Sequence, residues 1–216
     1  VFYKPRYSLS SYFSWSKTDN PGTGSHTADS IGRTGGLSAT YNINEQLSAN
    51  VGVSARLTDY IVDDDHLAVN DNDVRNRNVF IGSSFLLTNT DTIGVNLSYN
   101  YQNALINDNA RTLHNGMKGI SYLLSYNKLL PFYQNLTVNY GKTLNDYMKP
   151  DPLIHSEKKR KDIIDDYSIG ISGPIPFTNF SYSLSFDYSK SKSRIVNYIV
   201  NHEDINFSLR REFSLF

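Results

Sequence analysis

The chain of 216 residues contains 21 lysines and arginines, 21 aspartates and glutamates, and no cysteine. A formal net charge of zero gives no overall positive field to recruit nucleic acid, and the lack of cysteine excludes disulfides, thiolate metal sites and a cysteine nucleophile. The chain has 16 tyrosines and 11 phenylalanines, although its mean hydropathy is -0.44. No stretch approaches the roughly 18 uninterrupted apolar residues of a membrane-spanning helix.

The dominant pattern along the chain is a strict alternation of apolar and small polar residues. Such a period of two places the two residue types on opposite faces of a β-strand. Each alternating segment is near the roughly 9–11 residues that cross a bilayer as a tilted strand. In chain order, the predicted strands are Tyr7–Ser16, Leu37–Ile43, Leu47–Thr58, Val79–Leu87, Ile93–Gln102, Ile120–Tyr126, Leu136–Leu144, Tyr167–Ile175, Phe180–Ser189 and Ile205–Leu215.

The predicted connections alternate in length. Four of them are short: Asn44–Gln46, Asn89–Asp91, Pro131–Gln134 and Pro176–Asn179. The others are longer and collect Asp, Asn, Gly, His and Lys. This alternation predicts short turns at one end of the sheet and long loops at the other, as in up-and-down membrane barrels.

Two architectures produce alternating strands. A soluble β-sandwich is one alternative, but its solvent face would carry long charged side chains. Here the polar face consists mainly of Ser, Gly, Asn and Thr, which suit the crowded interior of a closed barrel. The apolar face also carries tyrosines that are expected to form an aromatic girdle at the headgroups, namely Tyr7, Tyr41, Tyr99, Tyr101, Tyr126, Tyr140, Tyr167 and Tyr188. The predicted fold is an all-β transmembrane antiparallel up-and-down barrel of about ten strands, with short periplasmic turns and long extracellular loops.

The last predicted strand, 205–216, resembles the C-terminal strand of bacterial outer-membrane β-barrel proteins. This resemblance implies a location in the outer membrane of a Gram-negative cell and recognition by the barrel assembly machinery through Phe213, Leu215 and Phe216. Phe216 departs from the family pattern because it does not share the parity of Phe207 and Phe213. Either Phe213 takes the role of the terminal aromatic residue, or a bulge shifts the register.

A second resemblance covers the last quarter of the chain. The segment 193–202 and the closing strand are similar to the ends of C-terminal barrels in tetratricopeptide-repeat export proteins, such as surface lipoprotein assembly modifiers. This likeness implies a periplasmic export domain or an exported substrate as partner. Residues 1–216 are therefore expected to form one barrel domain, either complete or as part of a longer protein.

Two groups of loop residues could bind ions or surface partners. Asp63, Asp64, Asp65 and His66 could coordinate a divalent cation or a partner, or they could be solvated loop charges. Lys158, Lys159, Arg160 and Lys161 could bind phosphates of lipopolysaccharide. The alternative for this basic run is a solvated segment compensated by nearby aspartates.

Four charged residues share the parity of the polar face and are expected to point into the lumen: Arg56, Asp187, Arg210 and Glu212. They form either a stiffening salt-bridge network or a selectivity filter. Arg211 has the opposite parity, which places it near a membrane interface or at a register shift.

The sequence therefore predicts a narrow polar channel or export conduit that has no cofactor, no metal and no nucleic-acid partner. The first alternative is a non-catalytic structural or adhesive barrel that binds partners through its long loops. The second is a hydrolase at the outer rim. Asp63 to His66 and the pair His202 and Asp204 resemble, in residue type but not in spacing, the rim residues of omptin-type proteases. An enzyme is not the expectation.

Overall fold

A computed structural model describes residues 6–18, 30–60, 73–104, 116–150, 154 and 157–211. These residues form a ten-stranded antiparallel sheet in which the strands lie in sequence order. The predicted antiparallel up-and-down order of ten strands is therefore confirmed. The strands are β1 (Tyr7–Thr18), β2 (Ser30–Asn42), β3 (Leu47–Tyr60), β4 (Val74–Leu86), β5 (Asp91–Ala104), β6 (Met117–Leu130), β7 (Gln134–Tyr147), β8 (Lys161–Pro174), β9 (Phe180–Ser193) and β10 (Val200–Arg211).

The strands extend beyond their alternating segments. β2 begins at Ser30 although alternation predicts a start at Leu37, and β10 begins at Val200 rather than Ile205. Backbone pairing depends on the neighbouring strand and not on side-chain alternation, so it continues through Gly32, Gly35 and Gly36. In the part of the chain that the structure describes, no helix is long and apolar enough to cross a membrane.

The connections define two ends of the sheet. Residues 43–46, 87–90, 131–133 and 175–179 join strands at what we call the turn end. At the first of these turns the Asn44 side chain accepts hydrogen bonds from the backbone N–H groups of Gln46 and Leu47 at 2.8 and 2.7 Å, as is typical of a tight turn. The opposite end, which we call the loop end, carries the connections 19–29, 61–73, 105–116, 148–160 and 194–199. Most residues of the first four lie outside the described part.

The sheet is a single layer with two different faces. Directly opposite residues of paired strands share a face, and the register places most large apolar residues of the ten strands on one side, with Phe80, Leu123 and Ile164 among the exceptions. We call this side the apolar face and the opposite side the polar face. Large apolar side chains lie exposed on the apolar face, where Leu9 is 78% exposed and Phe13 is 76% exposed. Ile195, 6% exposed, is the one buried hydrophobic residue among those described. A second sheet, which a β-sandwich requires, is absent from the described residues.

The sheet is open, whereas the sequence predicts a closed barrel. Among the described residues β1 pairs with β2 alone and β10 with β9 alone. All twelve residues of each of these two strands are exposed. Alternation specifies which face a residue occupies, but it does not specify which strand lies beside an edge. The N–H and C=O groups on the outer sides of β1 and β10 are thus left available for pairing.

Two aromatic residues on the polar face lie against glycines of the neighbouring strand. Phe80 of β4 is directly opposite Gly52 of β3, and a Cβ added at Gly52 would collide with the Phe80 ring and lie 2.9 Å from the Leu37 carbonyl oxygen. Tyr12 covers Gly36 in the same manner. The absence of a side chain at the glycine leaves room for each ring close to the backbone of the neighbouring strand.

Replacing Gly52→Ala is expected to destabilise the sheet by about 1–3 kcal/mol, because the methyl group must displace the Phe80 ring. Gly35→Ala is the matched control, since its Cβ would meet Tyr12 O at an ordinary 3.8 Å. Urea unfolding curves of both variants measure the difference. Adding Phe80→Ala to Gly52→Ala should recover the part of the loss that comes from the ring, whereas the close approach to the Leu37 carbonyl oxygen remains. Equal stability of the two alanine variants would show that the ring does not rest on Gly52.

Candidate functional site

A row of three tyrosines marks a border on the apolar face. Tyr140, Tyr167 and Tyr188 lie directly opposite one another across β7, β8 and β9. Their ring centroids are 5.0 and 6.2 Å apart. Towards the turn end the next residues of this face are Val138, Ile169 and Phe186, and towards the loop end they are Lys142, Asp165 and Lys190. The tyrosines therefore lie between an apolar row and a charged row, as in an aromatic girdle, and Leu144 and Ile163 follow the charged row towards the loop end.

This border is slanted relative to the strand pairing. Following directly opposite residues from Ile205 in β10 across the sheet leads to Phe85 in β4. In β10 the apolar residues of this face end at Ile205, before Glu203, whereas in β4 they end at Val79, before Arg77. Between β10 and β4 the border thus moves by roughly one residue per strand on average, although it is level from β7 to β9. At the spacings of a β-sheet, this average corresponds to strands inclined by roughly 35°. Strands of membrane barrels are tilted by roughly 35–45°.

The turn end of the apolar face carries a polar cluster around Asp91. The Tyr126 hydroxyl donates to Asp91 Oδ1 at 2.5 Å, and Lys128 Nζ lies 3.1 Å from the same oxygen. The Thr88 and Thr90 hydroxyls donate to Oδ2. Asp91 is 8% exposed, so the cluster ties β5 and β6 together where the apolar band ends.

All eight tyrosines predicted for the girdle lie on the apolar face by the register.

The polar face is lined by small side chains that bond to one another across the strands. Ser121 and Thr143 hydroxyls are 2.9 Å apart, and Asn139 Nδ2 donates to Ser168 Oγ at 2.9 Å. These residues line a shallow groove of about 490 Å³ that extends from β5 to β10. The same pattern continues near β1, where the Ser10 and Ser38 hydroxyls are 2.6 Å apart. This face is therefore wettable and has few bulky groups.

The predicted lumen charges Arg56, Asp187 and Arg210 lie on the polar face by the register, but no ion pair joins them within the described ranges. Asp187 accepts a hydrogen bond from the Ser185 hydroxyl at 3.1 Å and is directly opposite Asp204. Arg210 is directly opposite Ser181. Glu212 is outside the described residues, so its role and that of the other three stay predictions.

Arg211 lies on the apolar face, as its parity predicts. Its guanidinium is 5.5 Å from the centroid of the Phe180 ring, at the turn end of β9. The candidate assembly residues Phe213, Leu215 and Phe216 are outside the described residues.

The basic run 158–161 is divided by the fold. Arg160 lies between the rings of Tyr147 and Tyr198, with its Cζ 4.4 and 3.6 Å from their centroids. Its Nε and Nη2 donate to Asp162 Oδ2 at 2.6 and 2.5 Å. Burial lowers the pKa of the Arg160 guanidinium, but the hydrogen bond to Asp162 and the neighbouring phenols raise it by more. Lys161 Nζ lies 2.9 Å from Asp146 Oδ2. Of the four predicted lipopolysaccharide ligands, Arg160 is thus enclosed within the protein, Lys161 is paired with Asp146 but exposed, and Lys158 also has a partner.

Sequence reasoning missed the cluster of Arg160, Asp162, Tyr147 and Tyr198. Asp162 is 1% exposed, and its Oδ1 has no hydrogen-bond partner among the described atoms. The signal was the i, i+2 spacing of Arg160 and Asp162, which places both on one side of an extended chain. The two tyrosines come from other strands and connections, so their contribution was not readable from spacing.

The residues predicted for rim chemistry are not brought together by the described part of the structure. Asp63, Asp64, Asp65 and His66 are outside it. His202 and Asp204 lie on the polar face of β10, where His202 is directly opposite Ser189. The described residues contain no group of three or more His, Cys, Asp or Glu side chains that could hold a metal ion.

Comparisons with known proteins support the fold alone. No protein-family model matches the chain, and no curated protein matches it. The chain is similar to the crystal structure of the siderophore receptor PirA from Pseudomonas aeruginosa, with a TM-score of 0.52 and 16% sequence identity. The similarity covers 98% of this chain and 37% of that chain. The ten strands thus have the fold of part of an outer-membrane β-barrel receptor.

Proposed function

We propose that this chain forms part of the wall of a bacterial outer-membrane β-barrel, with its apolar face in lipid and its polar face lining an aqueous passage. The observation that carries the proposal is the exposed apolar face of a single-layer sheet. Soluble monomers rarely expose apolar patches beyond a few hundred Å², and this face extends over all ten strands. Hydrocarbon is the environment that removes such a surface from water.

The geometry of the border supports the same proposal. A band of apolar residues that runs level in a membrane must cross tilted strands diagonally, and the observed slant of roughly 35° matches that requirement. By the usual orientation of such barrels, the turn end faces the periplasm and the loop end faces the outside. The barrel assembly machinery and a periplasmic export domain are further proposed partners.

The width of the passage depends on what pairs with the edges. Unpaired backbone groups in hydrocarbon cost several kcal/mol each, so β1 and β10 must both be paired in a bilayer. Pairing with each other would give the narrow ten-stranded channel that the sequence suggests. We propose instead that other strands complete the edges, because this chain spans only 37% of the length of the receptor chain that it resembles. The passage is then wider than that of a ten-stranded barrel.

Tryptophan quenching tests which face meets lipid. Trp15 is the single tryptophan, so Trp15→Phe provides a silent background for one new reporter. In vesicles of lipids brominated on their acyl chains, Leu97→Trp on the apolar face should be strongly quenched. The adjacent Ser98→Trp on the polar face is the matched control and should be quenched by aqueous iodide instead. The reverse pattern, or equal quenching at both positions, would contradict the proposal.

Conductance across planar bilayers tests the passage itself. The inserted protein should give reproducible current steps, because the polar face is lined by hydroxyl and amide groups that bind water. A protein that inserts with the expected quenching pattern but gives no steps would favour the structural or adhesive alternative.

A further inference from the structure

Four cations gather on the apolar face at the loop end of β6 to β9. They are Lys118, Lys161, Lys192 and Arg194. Lys118 and Lys161 flank Asp146 in the register, and the Arg194 backbone N–H donates to the Lys161 carbonyl oxygen at 3.1 Å. All four are exposed. Two carboxylates also line this part of the sheet: Asp146 lies 2.9 Å from Lys161, and Asp162 is bound by Arg160. The four cations outnumber these carboxylates, so the local charge is positive in a chain of zero net charge.

An apolar row lies beside these cations, one step closer to the turn end. Tyr99, Ile120, Leu144 and Ile163 are directly opposite one another across β5 to β8. Their exposed fractions of 43, 41, 36 and 40% show that each ring or branched side chain is open to the surroundings. The apolar row and the cations line one groove of about 610 Å³. The groove therefore has an apolar floor and a cationic rim.

We infer that this groove binds a phosphorylated glycolipid of the outer leaflet, with the phosphates on the cations and acyl chains on the apolar row. Lysine and arginine are the side chains that bind phosphate in proteins, and an apolar floor at their side suits a lipid better than a free ion. The inference rests on the proposed function, which puts the apolar face in lipid and the loop end outside. It differs from the predicted loop cluster, because Lys118, Lys192 and Arg194 lie outside the run 158–161.

The test compares two variants that lose the same charge at the same end of the sheet. Lys118→Gln with Lys192→Gln removes two cations of the groove. Lys158→Gln with Lys159→Gln removes two from the loop and is the matched control. Binding of bisphosphorylated lipid A to the detergent-solubilised protein should weaken roughly tenfold or more in the groove variant and less than about twofold in the control. Dephosphorylated lipid A should bind the unmodified protein as weakly as the groove variant binds lipid A.

Each other outcome overturns the inference. These outcomes are equal binding by the groove variant and the unmodified protein, a larger loss in the loop variant, no binding of lipid A at all, and full competition by inorganic phosphate at matched concentration. Quenching of Leu97→Trp by brominated lipids distinguishes a failure of the glycolipid inference from a failure of the proposed function. If the reporter is quenched but lipid A binding fails these criteria, the groove assignment alone is wrong. If the reporter is not quenched, the membrane wall itself is wrong.

Discussion

A cysteine in β1 and a cysteine in β10 are expected to form no intramolecular disulfide when the protein is in a bilayer. In a ten-stranded barrel that closes on itself, β1 and β10 are neighbours, and cysteines on the same face lie close enough to bond. If other strands complete the edges, as we propose, the two strands are separated by the width of the passage. The β1–β10 disulfide should form in one case and not in the other, so its yield distinguishes a narrow passage from a wide one.

The chain suits this experiment because it contains no cysteine. Ser14→Cys in β1 is combined in turn with Asn206→Cys and Ser208→Cys in β10, which share the polar face and allow for the displacement that closing ten tilted strands produces. The positive control is Ser10→Cys with Ser38→Cys, since these residues are directly opposite and their hydroxyls are 2.6 Å apart. The control should be oxidised in high yield to an intramolecular bond. Non-reducing gel electrophoresis separates the products.

An intramolecular link between β1 and β10 in yield comparable with the control would contradict the wider passage and restore the narrow channel. Intermolecular products of the β1 and β10 variants would instead identify another copy of the chain as the source of the added strands. Both results leave the assignment of the two faces intact, because that assignment depends on the register of the ten described strands.

Much of the fold could be predicted because alternation is a local property. Each residue pair such as Leu97 and Ser98 separates the two faces without knowledge of any other strand. The closure of the sheet could not be predicted, since it depends on which backbone groups meet across an edge and no side chain of β1 or β10 specifies that partner. The open edges of the structure are where the closed-barrel expectation fails.

The surface features were only partly predictable, for a different reason. The sequence shows that Lys142 follows Tyr140 and that Lys190 follows Tyr188 on the same face. It does not show that these pairs belong to one border, because that requires the register of the strands. Similarly, Lys118 and Lys192 are distant in sequence, and the order of β6 to β9 brings both to one groove. The basic run 158–161 is a local pattern that suggested a lipid site, yet Arg160 faces Asp162 within the protein.

Removing Arg160 is expected to destabilise the loop end more than any loss of a surface cation. Arg160→Ala leaves Asp162, 1% exposed, without the guanidinium that binds its Oδ2, and it empties the space between the Tyr147 and Tyr198 rings. Breaking a buried ion pair by removing one partner costs about 3–5 kcal/mol. The free energy of unfolding in lipid vesicles, measured by urea titration, should fall by about 3 kcal/mol.

Two further variants identify the cause. Lys159→Ala is the neighbouring control, whose exposed side chain should contribute less than about 0.5 kcal/mol. If the stranded carboxylate is the main cost, then Arg160→Ala should cost far less in a background of Asp162→Ala, because no buried charge is left behind. An equal cost in both backgrounds would assign the stabilisation to the stacking of Arg160 on the tyrosines instead. A loss no larger than that of Lys159→Ala would show that the cluster does not hold β7, β8 and the connection to β10 together.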